Sequence, residues 1–275
     1  MTRIALFQSS TGIDPEASSS ALTDAIDQAA SGGAEMLFTP EMSGLLDRDQ
    51  VRARKNLRSE EQDEVLSACR NAAKQHRIWL HLGSLAVLTE DGKVANRGFV
   101  IDREGVVRAR YDKIHLFDVD LPTGESWRES NTYSPGKGVV LVNGTPVGKL
   151  GLTICYDLRF PGLFARLAEA GADIISVPAA FTVPTGKAHW HVLLRARAIE
   201  AGLFVVAAAQ VGRHEDGRQT FGHSLVIDPW GEVLLDMGEE RGVGFAEVDL
   251  ARISEVRSRI PALSHRQPIP EAVTN

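Results

Sequence analysis

The sequence predicts an α/β fold in which parallel strands are mixed with antiparallel pairs. Three observations carry this. Strand-like and helix-like segments alternate along most of the 275 residues. Several strands nonetheless follow one another directly, which requires antiparallel neighbours. One segment also echoes another: "ASGGAEMLFTPEMSG" and "AEAGADIISVPAAFT" both read as a small-residue helix end, Gly-Ala-acid, a short apolar run and then proline. Two similar halves, each a sheet covered by helices on one face, account for the echo. Two ordinary helix–turn–strand joints account for it as well.

Taken in order, Ile4–Phe7 is the first strand. A helix follows from Pro15 to Ala30, ended by Gly32-Gly33 as glycine ends helices generally. Met36–Phe38 is a short buried strand. Glu60 to His76 is a second amphipathic helix, with Val65, Cys69 and Ala73 four apart. Ile78–Leu82 is a strand, and Val94–Ile101 with Val106–Tyr111 forms a hairpin around "DREG". Lys149–Ile154 is a strand, Pro161–Ala170 a helix, Ile174–Val177 a strand, Lys187–Ala201 a helix and Phe204–Ala209 a strand. Ser224–Ile227, a "DPWG" turn, Val233–Asp236 and Gly244–Val248 continue the alternation, and Ala251–Ile260 is the last helix. Residues 1–262 read as a single domain and 263–275 as a polar C-terminal tail.

Composition narrows the function. Apolar residues make up 43% and charged residues 24%, an ordinary globular balance. The net charge of −6 and the lack of a basic block argue against nucleic acid as a partner. Two distant cysteines make neither a disulfide framework nor a zinc pattern. "MTRIALFQSS" lacks the long apolar region of a signal peptide. The longest apolar run, Leu203–Ala209, is far short of the roughly 20 residues that cross a bilayer. The expectation is a cytoplasmic, reducing location without membrane contact.

Strands in open α/β sheets deliver side chains to a crevice at their carboxyl ends. Glu41, Lys113 and Cys155 each follow a strand end in this way. The set makes chemical sense. A thiol with an unperturbed pKa of about 8.5 is mostly protonated at neutral pH. A neighbouring carboxylate can take its proton, and a neighbouring lysine favours the thiolate. Lys113 can also stabilise an oxyanion together with the backbone N–H of Tyr156, just after the nucleophile. Singly, each residue has a plainer reading. Glu41 could help cap a helix, Lys113 could pair with Asp112 or Asp118, and a buried cysteine is usually a small hydrophobe. That last reading suits Cys69.

The segments "FTPEMSG", "YDKIHLFDVD" and "GLTICYDLRFPGLFARLAEAGADIISVPAAF" resemble the nitrilase superfamily of carbon–nitrogen hydrolases, in the family's order and over nearly the whole chain. The resemblance implies a four-layer αββα sandwich of two mixed sheets covered by helices. It also implies subunits that pair into a homodimer or a higher homo-oligomer. It assigns a catalytic triad to Glu41, Lys113 and Cys155, and a second glutamate to Glu129 of "WRESNTYSPG". Within the superfamily, "PTGKAHWHVLLRARAIE" and "AAAQVGRHEDGRQTFGHSLVIDPWGEV" resemble the deaminated glutathione amidases, and "YDKIHLFDVDLP" equally resembles the ω-amidases. The implied reaction is hydrolysis of a terminal amide on a small carboxylate-bearing 2-oxo acid through a cysteine thioester, with release of ammonia. N-carbamoyl hydrolases and nitrilases come lower. A non-catalytic scaffold and a redox-sensing thiol are the readings from other classes.

An anionic substrate calls for arginine, whose planar fork grips a carboxylate. Arg159, Arg195, Arg197 and Arg213 are candidates. A structural ion pair is the alternative for Arg159, and pairing with a carboxylate such as Glu200 is the alternative for Arg197. Phe181 and Thr185 follow a strand end and match a family substrate loop, although Thr185 beside Pro184 and Gly186 also suits a turn. The "HWH" of His189 to His191 points its histidines to different helix faces. The Glu–Lys–Cys route needs no metal, and the glycines form no phosphate-binding pattern, so neither metal nor cofactor is expected.

Overall fold

The computed structural model describes residues 1–120, 124 and 126–274. The chain begins β1 (Thr2–Gln8), α1 (Pro15–Ser31), β2 (Met36–Phe38), α2 (Gln50–Asn56), β3 (Arg58–Ser59), α3 (Glu64–His76). It continues through β4 (Trp79–Leu88), β5 (Val94–Ile101), β6 (Val107–Asp112), β7 (Asp118–Asp120) and β8 (Ser126–Arg128). The second half is β9 (Leu141–Thr145), β10 (Gly148–Leu152), α4 (Pro161–Glu169), β11 (Ile174–Ser176), α5 (Val183–Ala201) and β12 (Phe204–Ala207). Then come β13 (Val211–Arg213), β14 (Gln219–Phe221), β15 (Leu225–Ile227), β16 (Val233–Asp236), β17 (Gly242–Val248) and α6 (Ala251–Arg259).

Two sheets dominate. The first has the order β17-β1-β2-β4-β5-β6, with β3 added beside β4, and the second has the order β16-β15-β12-β11-β10-β9. Each holds three adjacent parallel strands, β1, β2 and β4 in one and β10, β11 and β12 in the other, flanked on both sides by antiparallel partners. The echo in the sequence is therefore a structural repeat. Its two copies supply β2 and β11, the middle strand of each parallel trio.

Side-chain alternation sets the layers. Ile4 and Leu6 of β1 enter the core shared with the second sheet, whereas Ala5 enters a separate core beneath α1 and α3. The second sheet is covered by α4 and α5; a Cβ on Gly151 would press on Leu167 of α4 at 3.1 Å. The result is the expected αββα sandwich. Backbone packs tightly around Gly83, where a Cβ would overlap the Thr39 and Pro40 carbonyls and Pro178, so only glycine fits.

Several boundaries differ from expectation. The helix placed at Glu60 to His76 is two elements: Glu60–Gln62 is a 3₁₀ turn, and Asp63 then caps α3 by accepting the Leu66 N–H at 2.8 Å. Helix α5 starts at Val183 and not Lys187, because Pro184 sits in its first turn, where a missing N–H is harmless. The strands expected at Lys149–Ile154 and Phe204–Ala209 end at Leu152 and Ala207. Helix α2 gave no sequence signal because it buries no residue. Leu121 and Pro122 of "YDKIHLFDVDLP" and Asn275 of the tail lie outside the described residues.

Candidate active site

Cys155 sits at a sharp elbow. Strand β10 ends at Leu152, and a 3₁₀ helix runs from Cys155 to Arg159. Cys155 itself has φ +48°, in the left-handed region that costs a non-glycine residue of order 1–3 kcal/mol. Its backbone N–H donates to the Pro178 carbonyl at 2.9 Å, which ties the elbow to the end of β11. The Tyr156 N–H precedes the first bond of the 3₁₀ helix, which runs from the Asp157 N–H to the Ile154 carbonyl.

Asp157, fully buried, braces this turn. Its carboxylate accepts the Ile154 N–H at 2.9 Å and the Tyr111 hydroxyl at 2.7 Å. It also accepts the His115 backbone N–H at 3.1 Å and His115 Nδ1 at 2.7 Å. One carboxylate thus joins the cysteine elbow to the strand and loop that carry Lys113.

Glu41 leaves β2 through Thr39 and Pro40 and is 4% exposed. Its Oε1 accepts from Lys113 Nζ at 2.9 Å and from Asn96 Nδ2 at 2.9 Å, and its Oε2 accepts the Ala180 N–H at 2.9 Å. Ala180 follows Pro178 in the second copy of the repeat, so the two repeat ends meet at this carboxylate. Lys113, 2% exposed, also donates to both oxygens of Glu129, at 2.9 and 3.1 Å. Glu129 in turn accepts the Phe117 N–H at 2.6 Å.

The charges decide the protonation states. Burial would raise the Glu41 carboxyl, but the Lys113 ammonium and hydrogen bonds from Lys113, Cys155 and Asn96 outweigh it and hold the group below its ordinary range. Burial would lower Lys113, yet Glu129 and Glu41 together raise it well above its ordinary value. Burial, followed by the Glu41 charge, pushes the Cys155 thiol well up, and Lys113 only partly offsets this. Lys113 thus favours the thiolate as expected, but burial and the Glu41 charge outweigh it. The resting site is a neutral thiol hydrogen-bonded to an ionised carboxylate, beside an ammonium clasped by two carboxylates.

These groups open into a cavity of about 830 Å³. Glu41, Lys113, Glu129, Cys155, Tyr156, Phe181 and Thr185 all line it. Arg159 does not. Its guanidinium lies over the Tyr156 and Phe181 rings at 5.9 and 5.4 Å and contacts His189 Nδ1 at 3.3 Å, with no carboxylate partner among the described residues. The ion pair suggested for it is absent there, and its relation to the cavity runs through two aromatic walls. Thr185 lies in the first turn of α5, where its hydroxyl shares a 2.8 Å hydrogen bond with that of Thr182. Arg197 pairs with Glu200 at 3.1 Å and also donates to the Leu158 carbonyl, and Arg195 donates to the Gly231 carbonyl. The cavity includes residues that the sequence did not flag: Asn96, Arg48, Arg54, Trp127 and Arg218. Charge or aromatic type alone marks the arginines and Trp127 in sequence, nothing marks Asn96, and the five come from four separate segments.

His189 and His191 do diverge. His191 Nε2 lies 3.0 Å from Asp236, whose carboxylate also meets His223 Nδ1 at 2.9 Å. These three offer ligand atoms within 4.8 Å of one another and are where a cation could be held; none of them lines the cavity. Cys69 is wholly buried in the core beneath α1 and α3, while Cys155 belongs to the other core. Among the described residues no helix is long and apolar enough to cross a membrane.

Residues 3–258 match the carbon–nitrogen hydrolase family. The deaminated glutathione amidase of Yersinia enterocolitica is 39% identical over 238 residues, which cover 86% of this chain and 82% of that protein. The crystal structure of the Caenorhabditis elegans NitFhit protein superposes with a TM-score of 0.89 at 39% identity; the match covers 97% of this chain but only 65% of that longer one. An amidase mutant from Nesterenkonia sp. AN1, showing Michael addition of acrylamide at its active site cysteine, superposes with a TM-score of 0.79 at 26% identity and covers 95% of this chain and 98% of its own.

Proposed function

The chain belongs to the carbon–nitrogen hydrolase family, and on that premise we propose that it is a deaminated glutathione amidase working through a Cys155 thioester. The observation that carries the reading is the clasp of Lys113 between Glu41 and Glu129, with the Cys155 thiol against Glu41. Glu41 accepts the Sγ proton as Sγ bonds to the amide carbon. Because burial keeps the thiol neutral, proton transfer and attack proceed together. The carbonyl oxygen gains negative charge beside Lys113 Nζ and the Tyr156 N–H. On collapse the C–N bond breaks, and Glu41 returns its proton to the leaving nitrogen. Water, deprotonated by Glu41, then attacks the thioester. The acid leaves, and the thiolate recovers the proton. The balance is amide plus water to acid plus amine. Glu129 holds Lys113 in place.

The leaving group needs a correction. Deaminated glutathione joins a 2-oxoglutaryl group to the amine of cysteinylglycine. Its cleavage liberates that dipeptide and not ammonia. The cavity volume of about 830 Å³ suits a tripeptide-sized substrate. We also place the protein in the cytoplasm, where reducing conditions suit a catalytic thiol, and as a homo-oligomer, in keeping with exposed Val192, Ile199 and Ile260. The test is side-by-side assay of deaminated glutathione, for cysteinylglycine, and of 2-oxoglutaramate, for ammonia, with Cys155→Ala as control. Preference for the first, lost in the variant, is the expected result. Preference for 2-oxoglutaramate would move the protein to the ω-amidases.

A further inference from the structure

We propose that Arg48 and Arg218, gathered over Trp127 at the cavity wall, form a subsite for the carboxylate at the far end of the amine leaving group. The inference rests on the reading just given and names how the peptide part of the substrate is recognised. Both arginines and Trp127 line the cavity. The Arg218 and Arg48 guanidinium carbons lie 5.0 and 5.3 Å from the Trp127 ring centre. The two come from different parts of the chain, one just ahead of α2 and the other just ahead of β14.

Asp216 brings them together. Its Oδ2 accepts the Arg48 backbone N–H at 2.9 Å and Arg218 Nε at 2.7 Å, and its Oδ1 accepts the Arg218 N–H at 3.0 Å. Arg218 is fixed through Nε and its backbone N–H, and Arg48 is anchored through its backbone, which limits the entropy lost on binding. The charge balance leaves a surplus. Asp47, the other acid of this wall, is taken by Arg52 through bonds of 2.6 and 2.8 Å. Asp216 engages the Arg218 guanidinium through Nε alone and Arg48 through its backbone alone, and the Arg48 guanidinium has no carboxylate partner among the described residues. Arg54 adds a further cation to the lining. Asp49 is occupied in capping α2 and does not line the cavity. Guanidinium N–H groups therefore remain for an anion, stacked on an indole that orients them.

An aromatic wall connects this pair to the nucleophile. Tyr156, adjacent to Cys155, meets Phe117 edge to face at 5.1 Å, and Phe117 meets Trp127 at 6.4 Å. A substrate held at Cys155 by its acyl carbon would lay its leaving group along this wall, with its terminal carboxylate at the arginines. A leaving group of ammonia would leave them unused.

The experiment compares kcat/KM for deaminated glutathione with kcat/KM for its C-terminal carboxamide, in the wild type and in Arg48→Gln and Arg218→Gln. The wild type is expected to prefer the free acid by about 10- to 100-fold, through KM, as befits a charged hydrogen-bonded contact. Each variant is expected to cut that preference to roughly 3-fold or less. Arg48 is exposed, so its variant tests the idea even if Arg218→Gln, which breaks the Asp216 contact, folds poorly. Equal turnover of both forms by the wild type, or an undiminished preference in Arg48→Gln, would overturn the subsite while leaving the amidase reading intact. Turnover of 2-oxoglutaramate alone would overturn both.

Discussion

His115 Nδ1 lies 2.7 Å from Asp157 Oδ1, and that buried carboxylate also takes the Ile154 N–H directly before Cys155. Two segments distant in sequence, one bearing the ammonium and one the nucleophile, are thereby set in register by a side chain that touches neither Lys113 Nζ nor Cys155 Sγ. Asp157→Asn leaves the volume unchanged but cannot accept all four donors. It should lower kcat about 100-fold with little change in KM, as misplacement of a reacting group does. It should also cost about 1–3 kcal/mol of stability. Steady-state kinetics and thermal melts of the variant check both. A KM effect without a kcat effect would make Asp157 a substrate contact instead.

Protonation states set the pH profile. Glu41 is lowered from its ordinary 4.5, so it stays ionised down to that value and below. Cys155 is raised from 9.0 and Lys113 from 10.5, so both keep their protons past those values. The kcat/KM profile should be flat through the neutral range wherever the protein is folded, with its acid midpoint below 4.5 and its basic midpoint above 9.0. A limb near 6.5 would instead implicate a histidine.

Stability has its own pH dependence through His81. Burial lowers this imidazole from 6.5 to about 3, and its Nδ1 has no partner among the described residues. The unfolded chain takes up a proton below 6.5, and the folded one does so only near 3. Stability is therefore full above 6.5 and declines as pH falls, by up to about 1.4 kcal/mol per pH unit from this group. Denaturant unfolding between pH 7 and 5 should show a shallower decline in His81→Gln than in the wild type.

The two thiols should differ in access. Burial pushes Cys69 up to about 12, and it has no exposure, whereas Cys155 lines the cavity. Under native conditions iodoacetamide should label Cys155 and leave Cys69 unmodified; mass spectrometry of the digest reads this directly. Labelling of Cys69 first would contradict the placement of either thiol.

The residues legible from sequence share one property: Glu41, Lys113 and Cys155 each follow a strand that can be recognised by its own apolar run. The repeat around β2 and β11 was legible for the same reason. The groups that serve these residues were not. Ala180 acts through a backbone N–H, which carries no side-chain signal, and Asn96 reaches Glu41 from β5. Asp157 stands in plain view beside Cys155, yet three of its four donors, from Tyr111 and His115, lie more than 40 positions away. Arg48 and Arg218 belong to exposed turns that lack periodicity, so only folding brings them to Trp127. The same limit explains Arg159, whose nearness to Cys155 in sequence does not bring it into the cavity lining.

The central claim is a covalent acyl-enzyme on Cys155. Its most direct test is acid quenching of the protein during turnover of deaminated glutathione, followed by peptide mass spectrometry. The account predicts a 2-oxoglutaryl group on the Cys155 peptide, and neither adduct nor turnover in Cys155→Ala. An acyl group on another residue, or turnover that survives in Cys155→Ala, would contradict it.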